Sequence, residues 1–134
     1  MVKDENDIVE DWILYHGIIF GYHNLYIVDN ESIDGTYEII KKYQEKGVNI
    51  YSHPNYLEKG NIMKQLIDNN PCTIAFPLDI DEFIVYYDKE SNTISIENIV
   101  SYLHNLIHAG NLTNNNNGLY RCDYIHSKLI TPLR

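Results

Sequence analysis

Asp79 and Asp81, two residues apart and directly after the apolar run Thr73-Ile74-Ala75-Phe76-Pro77-Leu78, are the side chains here best suited to chemistry. On a strand, alternate side chains share a face, so both carboxylates would point one way while Ile80 packs into the core. Such a pair suits magnesium or manganese, hard cations that take oxygen ligands and keep positions open for water and substrate phosphates. A second acidic set, Asp29-Asn30-Glu31-Ser32-Ile33-Asp34-Gly35-Thr36, follows the apolar run Leu25-Tyr26-Ile27-Val28. Ligands of open α/β sheets bind outside the carboxyl ends of the strands, so the two sets are expected to face one pocket. That pocket would hold a metal ion and a phosphate-bearing ligand.

The other candidates are weaker. Asp29 and Asn30 stand where α/β proteins read a base or ribose, although Asp-Asn after a strand also makes an ordinary turn. Asp34 is explained well enough as a helix N-cap. Lys59 and Lys64 flank the helix before the D-x-D run, where a cation would meet a phosphate, and each reads equally as a solvated lysine. His16, on a largely apolar helix, is expected to be a packed, hydrogen-bonded imidazole. His104 and His108 lie one turn apart without a third metal ligand.

The elements that must position these residues follow from periodicity. Ile8, Trp12, Tyr15 and Ile19, with a second stripe of Val9, Ile13, His16 and Phe20, predict a helix over residues 7 to 20 that Gly21 ends. Leu25 to Val28 has the continuous apolar pattern of a parallel strand covered on both faces. Tyr37, Ile40 and Tyr43 give the next helix its core stripe, from Asp34 as cap to Gly47. Val48 to Tyr51 is a short strand, residues 60 to 69 a helix, Thr73 to Leu78 a strand and Phe83 to Tyr87 a further one. Ser95 caps a last helix with Ile96, Ile99, Val100, Leu103 and Ile107 inward, ending near Gly110. Asn114 to Asn117 is a loop tip, and Leu119 to Tyr124 a final strand. This order predicts an α/β fold, a mostly parallel, Rossmann-like sheet with helices on both faces. Only Met1 to Lys3 remain for any strand before the first helix.

Composition narrows the partners. A chain of 134 residues is expected to form a single domain over 1 to 134. Its formal charge of −9, from 19 acidic and 10 basic residues, opposes a nucleic-acid surface, which needs clustered cations. An acidic chain that binds phosphates needs a metal as intermediary. Cys72 and Cys122 lack metal-ligand spacing and fit a reducing compartment. No run approaches the roughly 18 apolar residues of a membrane span, and the first residues lack the order of a signal peptide, so a cytoplasmic protein is expected.

Several of these segments together carry a resemblance. Lys3-Asp4-Glu5, Glu10-Asp11-Trp12-Ile13-Leu14-Tyr15-His16, Tyr26-Ile27-Val28-Asp29-Asn30-Glu31-Ser32-Ile33-Asp34-Gly35-Thr36 and Leu78-Asp79-Ile80-Asp81-Glu82-Phe83-Ile84 resemble the GT-A glycosyltransferases. They are closest to the family-2-like branch with W-x-x-Y-H, D-N-x-S-x-D-G and D-x-D-E-F motifs, and the match covers residues 2 to 86. The resemblance implies a partial GT-A fold and a nucleotide-sugar donor, commonly a UDP-sugar. It places Asp29 and Asn30 on the base or ribose, Lys3 and Glu5 beside the nucleotide, Asp79 on the ribose and the metal, and Asp81 on the manganese or magnesium. Lys64 is the accompanying candidate for a phosphate. The acceptor, a glycan or a protein, and the general base have no counterpart after residue 90. Efficient transfer is therefore expected to need a continuation, a partner chain or a homo-oligomer that completes the site.

Two other classes compete. A haloacid dehalogenase-like phosphatase also uses D-x-D after an apolar strand, with the first Asp as nucleophile, but needs a later Ser or Thr and a Lys for which Thr113 and Lys128 are poor candidates. A non-catalytic nucleotide-binding module, or a decayed glycosyltransferase fragment, would keep the pocket without the turnover.

Overall fold

A computed structural model of the chain describes residues 1–88 and 91–108. The expected loop at Asn114 to Asn117, the strand at Leu119 to Tyr124, and Thr113, Cys122 and Lys128 lie outside these residues. The chain divides into two compact units, Met1–Asp81 and Glu82–Arg134.

The first unit runs α1 (Val9–Phe20), β1 (Tyr26–Asp29), α2 (Thr36–Lys42), β2 (Asn49–Ser52) and α3 (Lys59–Asn69). Strands β1 and β2 pair in parallel, with Tyr26 opposite Asn49 and Asp29 opposite Ser52. Ile27, Val28 and Asp29 are all buried, so successive residues facing opposite sides of β1 are both covered, as the unbroken apolar run predicts. On the other side of β1, Val2 forms a single parallel bridge with Asp29. Its amide donates to the Val28 carbonyl at 2.9 Å, and its carbonyl accepts from the Asn30 amide at 2.8 Å. Of Met1 to Lys3, Val2 thus forms the one bridge to β1.

Helix α1 buries Val9, Ile13 and His16 of one expected stripe and Trp12 of the other, together with Gly17, while Ile18 is left exposed. It stops at Gly21, whose φ of 85° lies in the left-handed region open to glycine and whose amide caps the Gly17 carbonyl at 3.0 Å. Helix α2 packs on α1 through Ile40, and the Tyr43 hydroxyl just beyond it donates to Glu10 of α1 at 2.7 Å. The α2 stripe is shorter than expected because a 3-10 turn over Gln44–Lys46 carries the chain to Gly47.

One strand of the expected sheet is missing. Thr73 to Leu78 pair with no strand among the described residues, so the structure has mixed helix and strand with a small parallel pair rather than a full Rossmann-like sheet. Proline explains it: Pro77 has no amide to give a ladder, and Pro71 precedes the segment. Packing substitutes for pairing, with the Phe76 ring stacked on Phe20 of α1 at 5.9 Å. Ile80 and Asp81 accordingly form a turn, and Ile80 is half-buried instead of sitting in the core.

Asp34 is structural, one position earlier than a cap. The N-cap of α2 is Gly35, and Asp34 Oδ1 accepts from the Thr36 amide at 3.0 Å and the Thr36 hydroxyl at 2.6 Å. Its Oδ2 accepts from the Asn6 amide at 3.0 Å. The Thr36 hydroxyl, then the backbone amides of Thr36 and Asn6, hold the carboxyl below the usual aspartate range although some burial opposes this. A depressed folded-state pKa contributes stability above the ordinary carboxylate range that is lost as pH falls through it. Asp34→Ala should therefore melt several degrees below the wild type at neutral pH, and the difference should vanish in strong acid. Thermal unfolding followed by circular dichroism at the two pH values checks both halves.

In the second unit, β3 (Tyr86–Asp88) and β4 (Thr93–Ser95) form an antiparallel hairpin, Tyr86 opposite Ser95. Helix α4 (Glu97–His108) follows, and the Ser95 hydroxyl accepts from the Asn98 amide at 3.3 Å as the expected cap. Ile84 and Ile99 are buried, and the rings of Tyr86 and Tyr102 lie 5.2 Å apart. Ile96, Val100 and Ile107, expected inward, are exposed to a third or more of their surface.

Candidate functional site

Beyond the carboxyl end of the small sheet, the chain is laced rather than coiled. The Asp4 amide donates to the Ser32 hydroxyl at 3.0 Å, the Ile33 amide to Asp4 Oδ1 at 2.8 Å, and the Glu5 amide to the Thr36 hydroxyl at 2.8 Å. Three polar side chains of the D-N-x-S-x-D-G-T run, Ser32, Asp34 and Thr36, are thus spent on holding residues 4 to 6 in place. Lys3 joins them through its ammonium, which donates to the Asn30 carbonyl at 3.0 Å.

This lacing forms one wall of an open cleft of about 230 Å³. Lys3, Glu5, Tyr56, Asp79, Ile80 and Asp81 line it. Lys3 and Glu5 lie just past the Val2 bridge, and Tyr56 follows the end of β2, so the cleft opens at the carboxyl ends of the strands where α/β folds place their ligands. Four of the seven residues nominated by sequence, Lys3, Glu5, Asp79 and Asp81, therefore meet in one cleft.

The remaining three are elsewhere. Asp29 is 3% exposed; its Oδ2 accepts from the Ser32 amide at 3.2 Å, and its Oδ1 is buried with no hydrogen-bond partner among the described residues. Asn30, 4% exposed, donates through its side chain to the His53 carbonyl at 2.7 Å and so clamps the end of β1 to the end of β2. Lys64 stands on the exposed face of α3, paired with Asp68 one turn on. It is not among the residues that line the cleft.

Tyr56 was not nominated, and Lys59, weighed beside Lys64 as a cation for a phosphate, meets a carboxylate here. Lys59 forms an ion pair with Asp79, and its ammonium lies 5.5 Å from the centre of the Tyr56 ring. Burial pulls the Lys59 pKa down, and the hydrogen bond and charge of Asp79, aided by Tyr56, outweigh it, so the group stays above the ordinary lysine value. For Tyr56 the signal in the sequence was positional alone: an aromatic three residues before Lys59, where the chain leaves β2.

The surroundings of Glu5 are acidic. Burial first, then the charges of Asp7, Asp81, Asp34 and Asp4, raise the Glu5 pKa, a field that favours an incoming cation. Among the described residues no three His, Cys, Asp or Glu side chains converge as a metal cage. Magnesium and manganese, however, are commonly held by one or two carboxylates with substrate phosphates and water completing the shell. Asp79 and Asp81 fit an ion shared with a phosphate ligand; they do not fit one bound by protein alone. A dehalogenase-type phosphatase would need Asp79 at the end of a paired strand, and residues 73 to 78 pair with no strand among the described residues.

No helix among the described residues is long and apolar enough to cross a membrane. Comparison with protein-family models, with curated proteins and with solved structures gave no match to this chain.

Proposed function

We propose that this chain binds a nucleoside diphosphate, and more particularly that it is the donor-binding part of a GT-A-like glycosyltransferase using a UDP-sugar. One observation carries the reading: Lys3, Glu5, Asp79 and Asp81, far apart in sequence, share a cleft at the carboxyl ends of parallel strands. A cleft of about 230 Å³ is below the roughly 300–1,000 Å³ of pockets that enclose a drug-sized ligand, so it suits the diphosphate end of the donor. Asp29 Oδ1 supports the base end. A buried carboxylate oxygen without a partner is costly, and the imide N–H of uracil is the kind of donor that would satisfy it once the residues covering it move aside to admit the base.

In this reading Asp79 and Asp81 hold manganese or magnesium, which when bound supplies positive charge to the diphosphate leaving group. Glu5 adds to the negative field that draws the cation in, and Lys3, anchored on the Asn30 carbonyl, keeps that wall of the cleft against β1. Isothermal titration should find UDP bound more tightly with manganese than with a chelator. Equal affinity in the two conditions would remove the metal from the account.

A second reading, a nucleotide-binding module without transfer, draws on the ion pair that already occupies Asp79. Incubation with radiolabelled UDP-glucose, UDP-galactose and UDP-N-acetylglucosamine, with and without cell lysate as acceptor source, separates the two. We expect at most slow, metal-dependent hydrolysis from residues 1 to 134 alone, since transfer needs an acceptor hydroxyl in line with the anomeric carbon. Binding without any turnover in either condition would favour the module.

A further inference from the structure

The Lys59 side chain is 22% exposed while that of its partner Asp79 is 53% exposed, so the lysine is the more buried of the two. It also sits against the Tyr56 ring, whose face attracts a cation. Both Tyr56 and Asp79 line the cleft. A lysine held in this way has two stations within reach: the carboxylate, when the cleft contains no other cation, and any anion that enters beside the carboxylate. Lys64, by contrast, is spent on Asp68 with 74% of its side chain in solvent.

We propose that Lys59 is the resting counter-ion of Asp79 and that it transfers to the diphosphate when a metal–nucleotide complex enters. The proposal rests on the nucleotide reading above and deepens it by naming the ammonium that meets the phosphates. In the resting cleft Lys59 neutralises one carboxylate and competes with a free divalent cation for it. When the cation arrives with a diphosphate, Asp79 exchanges its ammonium for the metal and Lys59 exchanges a carboxylate for a phosphate oxygen, so every charge keeps a partner. The cleft is thereby selective for the metal–diphosphate complex over either component alone.

Opposite signs in two titrations test this. Lys59→Met keeps the length and apolar stem of the side chain and removes its charge. It should bind manganese alone up to about fivefold more tightly than the wild type, because an internal competitor worth no more than an exposed ion pair is gone. It should bind UDP with manganese about ten- to a hundredfold more weakly, the loss expected for one charged hydrogen bond, and uridine unchanged. Lys59→Arg, which keeps the charge, should not gain affinity for manganese alone, and Lys64→Met should match the wild type throughout. Reduced folding would weaken all the titrations together and cannot produce the crossed pattern. Unchanged UDP–manganese affinity in Lys59→Met, with wild-type binding intact, overturns the role of Lys59 only; so does weaker or equal manganese binding by that variant. Failure of the wild-type chain to bind UDP at all overturns the nucleotide reading, and the role of Lys59 with it.

Discussion

Replacing Asp29 and Asp81 should weaken UDP binding by similar amounts but under different conditions. Asp81→Asn is expected to lose about ten- to a hundredfold in affinity when manganese is present, as one charged contact to a shared ion is removed, and almost nothing under chelation. Asp29→Ala should lose a comparable factor with or without metal, and should lose it for uridine as well. The two residues differ in surroundings. Asp81 is exposed at the rim of the cleft, whereas Asp29 is 3% exposed with a bare Oδ1. Because that oxygen is costly to bury unpaired, its removal should offset most of the lost contact from the Ser32 amide, and the melting temperature should stay nearly constant. Calorimetric titration of both variants, with manganese and with chelator, separates the assignments. A metal-dependent loss in Asp29→Ala would show that this acid does not meet the base.

Mild acid should cost the fold about 3 kcal/mol through one imidazole. His16 is 1% exposed, its Nδ1 donates to the Trp12 carbonyl at 2.9 Å, and its ring lies among those of Trp12, Tyr15 and Phe20. Burial pushes its pKa from 6.5 down to about 4 although the bond to Trp12 favours the protonated form, and Tyr15 beside it is kept neutral by burial. The unfolded chain therefore takes up a proton at higher pH than the folded one. Stability should be full above pH 6.5, fall as pH drops toward 4, and level off below. A shift of this size corresponds to about 3 kcal/mol at the acid end. Urea unfolding at a series of pH values should show the slope, and His16→Met, which keeps an apolar, adaptable side chain in the same space, should flatten it. A slope unchanged in His16→Met would assign the acid sensitivity to the carboxylates.

The elements that were legible in sequence are those whose signal is local. The unbroken run at Leu25 to Val28 marks a strand covered on both sides, and the double stripe of residues 7 to 20 marks α1, because burial alone dictates both patterns. Thr73 to Leu78 carries a similar apolar run, yet Pro77 removes a ladder donor and the Phe76–Phe20 stacking holds the segment instead. The hairpin partner Thr93–Ser95 was missed because three residues, read beside Ser95, look like the approach to a helix cap. Asp79 and Asp81 could be nominated by type and position, and Lys3 and Glu5 only through the resemblance. The Lys59–Asp79 pair could not, since it joins residues 20 apart that only tertiary packing brings together. Nor could the use of Ser32, Asp34 and Thr36 as ties for residues 4 to 6, because a motif shows which groups are present but not which partners they find.

The single bridge at Val2 also sets a clock. Only two backbone hydrogen bonds, Val2 to Val28 and Asn30 to Val2, join the segment that carries Lys3 and Glu5 to β1, whereas β2 is joined along four residue pairs. Short pairings open before long ones, so the Val2 and Asn30 amides should exchange with deuterium faster than the interior amides of β1 and β2. The wall of the cleft would then breathe on a timescale of its own, and a ligand that grips Lys3 or Glu5 should slow exchange at those two amides first.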